Sequence, residues 1–397
     1  METSNNNKKR KESFLKNFFM FILLLAVIAF ASAVLYINNK GIDVSQMSLD
    51  DIIKAVQNKE FIQGNNPDEF KRIYYDEKKI EVIGSHKESI ITVSRNAVKS
   101  IDEKGKTIWE KKVELQKDPF LKSKGEKILV ADIGGKNIYV IEKGRIKWND
   151  SFKSNIINVD INEKGYVSVI VDEKGSNGVL YIYDSSGIEI MRIKRGEYNL
   201  VSSVVTGRGE NVIFSMIDIS GISPKSTIEV LKSNGLKISL IKIEDTIISH
   251  LEQMDNKMVF AIGNSKVILL DENGNELWRK SFMDSYILGV SVLEGEYPVV
   301  ALETSKKDIF KKKKYSVLTF DHRGNKIGEL VLEDKINSFD AGENLIAINT
   351  NEQIIFLNVV ENSTKDLEYC DVKKVLLLNK SKVACIEKNK IKIIDIK

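Results

Sequence analysis

The sequence predicts an all-β fold, a β-propeller of four-stranded blades preceded by one N-terminal transmembrane helix. Three observations lead there. A stretch of 23 residues without a charge, 17–39, follows a basic tail. From about Phe70 onward, runs of five to eight residues rich in Ile, Val, Leu and Tyr alternate with Gly, Asn, Asp and Lys, and no long helical period interrupts them. Within those runs a hydrophobic-Asp-x-x-Gly turn recurs at intervals of 39 to 50 residues, the period of propeller blades.

The N-terminal elements come first. Residues 1–16 form a basic tail (Lys8, Lys9, Arg10, Lys11, Lys16), and residues 1–37 carry a net +3 of the chain's total of +4. The remainder is nearly neutral, so a nucleic-acid partner has no electrostatic basis. About 20 apolar residues span a bilayer as a helix. The preceding lysines place the tail in the cytoplasm and everything after Lys40 outside it. Ala31-Ser32-Ala33 also fits a cleavable signal peptide. The apolar run continues through Ile37, which favours an uncleaved signal-anchor at the cell membrane, though cleavage after Ala33 stays open. Residues 40–68 read as a juxtamembrane spacer. Ser48-Leu49-Asp50-Asp51 caps a short helix there, and Gln63-Gly64-Asn65-Asn66-Pro67 ends it.

Residues 69–397 carry the repeat. Its fullest copies are Asp102–Gly105 with Trp109 and Asp271–Gly274 with Trp278. Gly144 with Trp148 is one residue shorter, Asp184–Gly187 and Asp321–Gly324 lack the Trp, and Gly235 lacks the Asp as well. An aspartate at a turn accepts backbone N–H groups, and the glycine takes a conformation that side chains resist. Tryptophan on an outer strand can fill the gap to the next blade, worth about 2–3 kcal/mol of burial. These residues are therefore expected to be architectural. Seven copies begin near Lys79, Gln116, Ile156, Leu200, Ile247, Tyr286 and Lys335, and three strands follow after Lys373. Residues 70–75 can supply the missing fourth and close the ring. The arithmetic gives eight blades, with seven the alternative.

The D-x-x-G-x-x-x-W repeat resembles that of the pyrroloquinoline-quinone (PQQ)-like eight-bladed propellers, over about residues 69–397. That superfamily contains quinoprotein dehydrogenases and non-catalytic assembly scaffolds. The whole layout resembles an uncharacterised single-pass, membrane-anchored propeller family of Gram-positive bacteria, which implies a fold and no activity. The quinoprotein enzymes use a Ca²⁺ site, a catalytic aspartate and commonly a vicinal cysteine pair. Here Cys370 and Cys385 are not adjacent, and no acidic cluster has calcium-loop spacing. The two cysteines are left as either a pair or buried thiols. His86, His250 and His322 are scattered, so no metal site is expected.

No catalytic residue, cofactor or metal is therefore assigned. The informative feature is loop length. Three connections between second and third strands are enlarged: Asp172–Gly178, Asp218–Thr227 and Thr304–Tyr315. Insertions gathered on one face of a repeat protein mark a binding face. The third loop holds Lys306, Lys307, Phe310, Lys311, Lys312, Lys313 and Lys314, a basic contact for an anionic partner. The expected function is a non-catalytic scaffold or binding module at the cell envelope, its partner an envelope protein or an anionic wall polymer. The alternatives are a quinone- or other ligand-binding propeller enzyme and a ligand sensor signalling through the membrane helix. Oligomeric state is not legible.

Overall fold

Two burial patterns separate the strands of this protein. Some, such as Val179–Tyr183 and Val259–Gly263, are buried at every position, whereas Thr107–Lys112 and Arg145–Ser151 alternate between exposed and half-buried residues. A strand covered on both faces reads as a continuous apolar run, and one at an edge alternates. The computed structural model describes residues 71–397 apart from 222–223, 245, 255–256, 283, 294–295, 305–312, 370 and 397. The expected tail, membrane helix and spacer helix lie outside the described residues. Among the described residues no helix is long and apolar enough to cross a membrane.

The described residues form 32 strands, and they pair in fours. Strand β1 is Lys71–Tyr74, and β2–β5 (Ile80–His86, Ser89–Ser94, Ala97–Ile101, Thr107–Lys112) make the first antiparallel sheet in chain order. The same order recurs in β6–β9 (Asp118–Lys124, Lys127–Ile133, Asn137–Glu142, Arg145–Ser151) and β10–β13 (Asn155–Ile161, Val167–Asp172, Val179–Tyr183, Glu189–Lys194). It continues in β14–β17 (Asn199–Val205, Asn211–Asp218, Lys225–Lys232, Lys237–Ile243) and β18–β21 (Ile248–Gln253, Val259–Gly263, Lys266–Leu270, Glu276–Ser281). Next are β22–β25 (Ser285–Leu293, Tyr297–Thr304, Tyr315–Phe320, Lys326–Leu332) and β26–β29 (Ser338–Gly342, Leu345–Asn349, Gln353–Asn358, Ser363–Glu368). One parallel bridge, Ile156 to Ile133, links the second and third of these sheets. The last unit is composite. β30–β32 (Lys374–Asn379, Lys382–Glu387, Lys390–Asp395) accept β1 as their fourth strand, in register from Lys71 opposite Ile393 to Tyr74 opposite Lys390.

The first strand of each unit lies innermost. β2, β6, β10, β14 and β18 follow side by side, as do β22, β26 and β30, and β30 returns against β2. Phe260, Trp278 and Phe320 pack together between β18–β21 and β22–β25. The result is a ring of radial sheets, a β-propeller. Its core lies between units rather than within one: Ile170, Leu180 and Ile182 of one sheet pack against Val205, Val212 and Phe214 of the next.

The repeat turns have one geometry. Asp102, Asp184, Asp271 and Asp321 each accept on Oδ1 the N–H groups of the residues two and four further on, at 2.7–3.0 Å. The glycines that close these turns have φ of 79° to 85°. Lys143 (φ 50°) and Gly144 (φ 70°) make a two-residue turn between the paired Glu142 and Arg145 instead, the geometry of a type I′ hairpin. The outer-strand tryptophans rest on the turn glycines of the following unit. A Cβ on Gly144 would lie 2.8 Å from Trp109, on Gly187 2.5 Å from Trp148, and on Gly324 2.8 Å from Trp278.

On the channel side the joints are polar. Inner strands have an unpaired backbone edge, and side chains of the preceding unit satisfy part of it. Ser202 Oγ accepts Leu251 N–H at 3.0 Å, Ser338 Oγ accepts Val375 N–H at 3.1 Å, and Asp340 accepts Leu377 N–H at 2.8 Å.

Candidate functional site

Because strands alternate in direction, connections from second to third strands emerge at the end where the inner strands begin. Most of these connections are short, as between β3 and β4 (Arg95–Asn96) or β19 and β20 (Asn264–Ser265). Three are longer: 173–178, 219–224 and 305–314. The second is shorter than the sequence suggests, because the β15–β16 ladder runs out to Asp218 opposite Lys225. Thr227, expected in the loop, is a strand residue.

The first long loop is held in place. Leu200 N–H bonds Asn177 O at 3.0 Å, Asn177 Nδ2 donates to Gly196 O at 2.9 Å, and Lys194 reaches Glu173 at 3.1 Å. In the second, Asp218 accepts the Ser220 N–H and hydroxyl, which hold its carboxyl below the usual range. The third carries the lysine run. Lys306, Lys307, Phe310, Lys311 and Lys312 lie outside the described residues. Thr304 N–H bonds Lys314 O at 2.9 Å, and Lys313 pairs with Glu303. That pair raises the Lys313 pKa.

The base of this loop adjoins the channel mouth. Glu303 lies opposite Tyr286 of the inner strand β22, and Tyr286 is 62% exposed. Leu288 on the same strand and Ile157 on β10 are exposed as well. Both fall at β-bulges, between Ile287 and Gly289 and between Ile156 and Asn158. A bulge re-aims a side chain that regular pairing would bury. Tyr286 and Leu288, an aromatic and an aliphatic side chain on the strand paired with the base of a basic loop, have the composition of a protein-contact surface.

A second cluster, which the sequence reading does not single out, occupies the opposite end of the inner strands. Lys122 on β6 reaches Asp160 on β10 and Glu252 on β18, Lys124 adds to Glu252, and His250 Nε2 stands 3.4 Å from the same carboxylate. Burial opposes the Lys122 charge, but the two carboxylates outweigh it and raise its pKa. Burial pushes the Asp160 carboxyl up. At Glu252 burial is outweighed by Lys122, His250 and Lys124, and the carboxyl stays well below its ordinary range. Lys122 and Glu252 are 130 residues apart, so no local motif announces them. Placing the inner strands side by side would have put these charges at one level.

The remaining residues singled out from sequence do not converge. Asp102, Asp184, Asp271, Asp321 and the repeat glycines occupy tight turns, and among the described residues no group of His, Cys, Asp or Glu could hold a metal ion. Cys385 is a free, buried thiol whose pKa burial pushes up; Cys370 lies outside the described residues.

Fold and surface together define a β-propeller with one elaborated face. The chain belongs to the family of unknown function DUF5711, whose model matches residues 67–396. A comparison with the curated proteins gives no match. Among solved structures the chain is similar to the C-terminal WD40 domain of Sif2, with a TM-score of 0.57 and 12% identity over 82% of this chain and 99% of that one. It is also similar to Kluyveromyces lactis Hsv2 (TM-score 0.47, 10% identity, 73% and 98% covered) and to the WD40 domain of Neurospora crassa Pan2 (0.44, 10%, 80% and 91%). The Sif2 likeness establishes the propeller fold.

Proposed function

We propose that this chain is a membrane-anchored, extracytoplasmic propeller of eight blades, with a repeat of the PQQ-like kind, acting as a non-catalytic protein-binding scaffold at the cell envelope. One observation carries the binding reading. The long connections gather at the end where Tyr286 and Leu288 are exposed, on the strand paired with the base of the lysine-rich loop. An aromatic and an aliphatic anchor beside a lysine-rich loop suit a protein with an acidic rim better than a uniformly charged polymer. WD40 propellers are in general scaffolds without enzymatic activity, in keeping with this reading. Anchoring rests on the uncharged 17–39 stretch and the lysines before it, and the eight-blade count on 32 strands pairing in fours.

The test is a cross-linked pull-down from native cell envelopes, comparing the full-length chain with two variants. One replaces Thr304–Tyr315 by a short Gly-Asn turn, and the other is Tyr286→Ser. A protein partner lost from both variants, with affinity that weakens as salt rises, supports the reading. Identical partner lists sink it, and recovery of wall polymer alone replaces the protein partner with an anionic glycan.

A further inference from the structure

The Lys122 cluster differs from other ion pairs in what it connects. Its ammonium lies 2.5 Å from Asp160 on β10 and 2.7 Å from Glu252 on β18. β10 is the inner strand of the neighbouring unit. β18 belongs to a unit further round the ring, with the whole of β10–β17 intervening. A contact between β6 and β18 therefore crosses the central channel instead of running along its wall. Lys124 makes the same crossing, donating to Gln253 O at 3.2 Å.

Height along the channel is also defined. Lys122 is third from the end of β6, while Asp160 and Glu252 are each second from the end of their strands. All three stand at the end of the tight turns, away from Tyr286. The three side chains are only 5–18% exposed. An isolated ammonium at that depth would be costly, and two carboxylates offset the cost.

We propose that Lys122, Asp160 and Glu252 form an ionic gate that closes the tight-turn end of the channel, making the channel a funnel entered from the long-loop end. A salt bridge that merely reinforced the wall would join adjacent inner strands. The Lys122–Asp160 arm does join neighbours, but the Lys122–Glu252 arm joins strands that share no sheet, and it brings together walls that an open channel keeps apart. The proposal stands independently of any partner at the long loops.

Hydrogen exchange by mass spectrometry on the full-length chain tests it, with two variants. Lys122→Met removes the ion-pair partner of Asp160 and leaves Glu252 only Lys124 and His250. Lys122→Met/Asp160→Asn/Glu252→Gln is uncharged at all three positions, so it retains the fold if the single variant does not. The expected result in the triple variant is exchange at least about tenfold faster at the amides of 122–124 and 252–254, with β26–β29 within about twofold of the parent. Unchanged protection at those amides, or an equal loss in every unit, would overturn the gate. Partner capture by the long-loop face is expected to survive in the triple variant, so the two proposals fail separately.

Discussion

Neighbouring units of this propeller are joined at two radii by different chemistry. At the rim, an outer-strand tryptophan lies on the turn glycine of the next unit, as Trp148 does on Gly187 and Trp278 on Gly324. At the channel, the joints are polar: hydroxyls and carboxylates that cap an inner edge, and the charges around Lys122. The rim joint is modular. Val230 takes the tryptophan's place against Gly274, and nothing lies within 4 Å of a Cβ on Gly235. The channel joints are less regular: a serine hydroxyl caps the next inner strand at Ser202 and at Ser338, a carboxylate does so at Asp340, and the Lys122 charges link three units. A propeller can thus vary its rim packing one unit at a time while its channel is set by long-range pairs.

The largest expected effect breaks a rim joint. Trp278 is 8% exposed, with Phe260 and Phe320 at ring distances of 6.0 and 5.7 Å. Trp278→Ala leaves a cavity between two units, and about 3–5 kcal/mol of stability should disappear. Denaturant unfolding measures it. A loss below about 1 kcal/mol would mean that the seam collapses around the gap and that the joint is not what holds these units.

A matched pair of glycines sharpens the contrast. Gly187→Ala places a methyl 2.5 Å from Trp148 at φ 85°, whereas Gly235→Ala meets only the backbone penalty at φ 83°. About 2–4 kcal/mol is expected for the first and about 1 kcal/mol for the second. Equal losses would show that the turn conformation, not the tryptophan contact, makes glycine necessary.

The two radii also differ in how far the sequence discloses them. The rim is legible because a turn is local. Asp102 and Gly105 must stand three residues apart to bond the same backbone, so their spacing survives in the sequence and returns at Asp184, Asp271 and Asp321. The starts of the units followed closely, although ladder pairing runs β16 back to Lys225 and takes in Ser226 and Thr227, both expected in the loop. The channel is illegible because its partners are distant. Lys122, Asp160 and Glu252 stand far apart in a chain rich in charge, and nothing in their local sequence pairs them. The exposure of Leu288 and Ile157 depends on bulges, which leave no mark in composition.

The smallest expected effect concerns a channel-side carboxylate. Burial pushes Asp340 up to about 6, against the opposing influence of the Leu377 N–H and Lys374. Its folded-state pKa therefore lies above the unfolded value of about 3.9. The native state takes up the extra proton first, so this group adds stability at acid pH and that contribution is lost as pH rises through about 6. Between pH 5 and 7.5 the loss amounts to about 1 kcal/mol. Asp340→Asn keeps an oxygen for the Leu377 N–H and removes the titration. Unfolding free energies at the two pH values should therefore differ by about 1 kcal/mol less in the variant than in the parent. A parent and variant that change in parallel with pH would mean that Asp340 titrates as a solvated carboxylate, and the channel wall would then be wetter on that side than the buried ion pairs opposite.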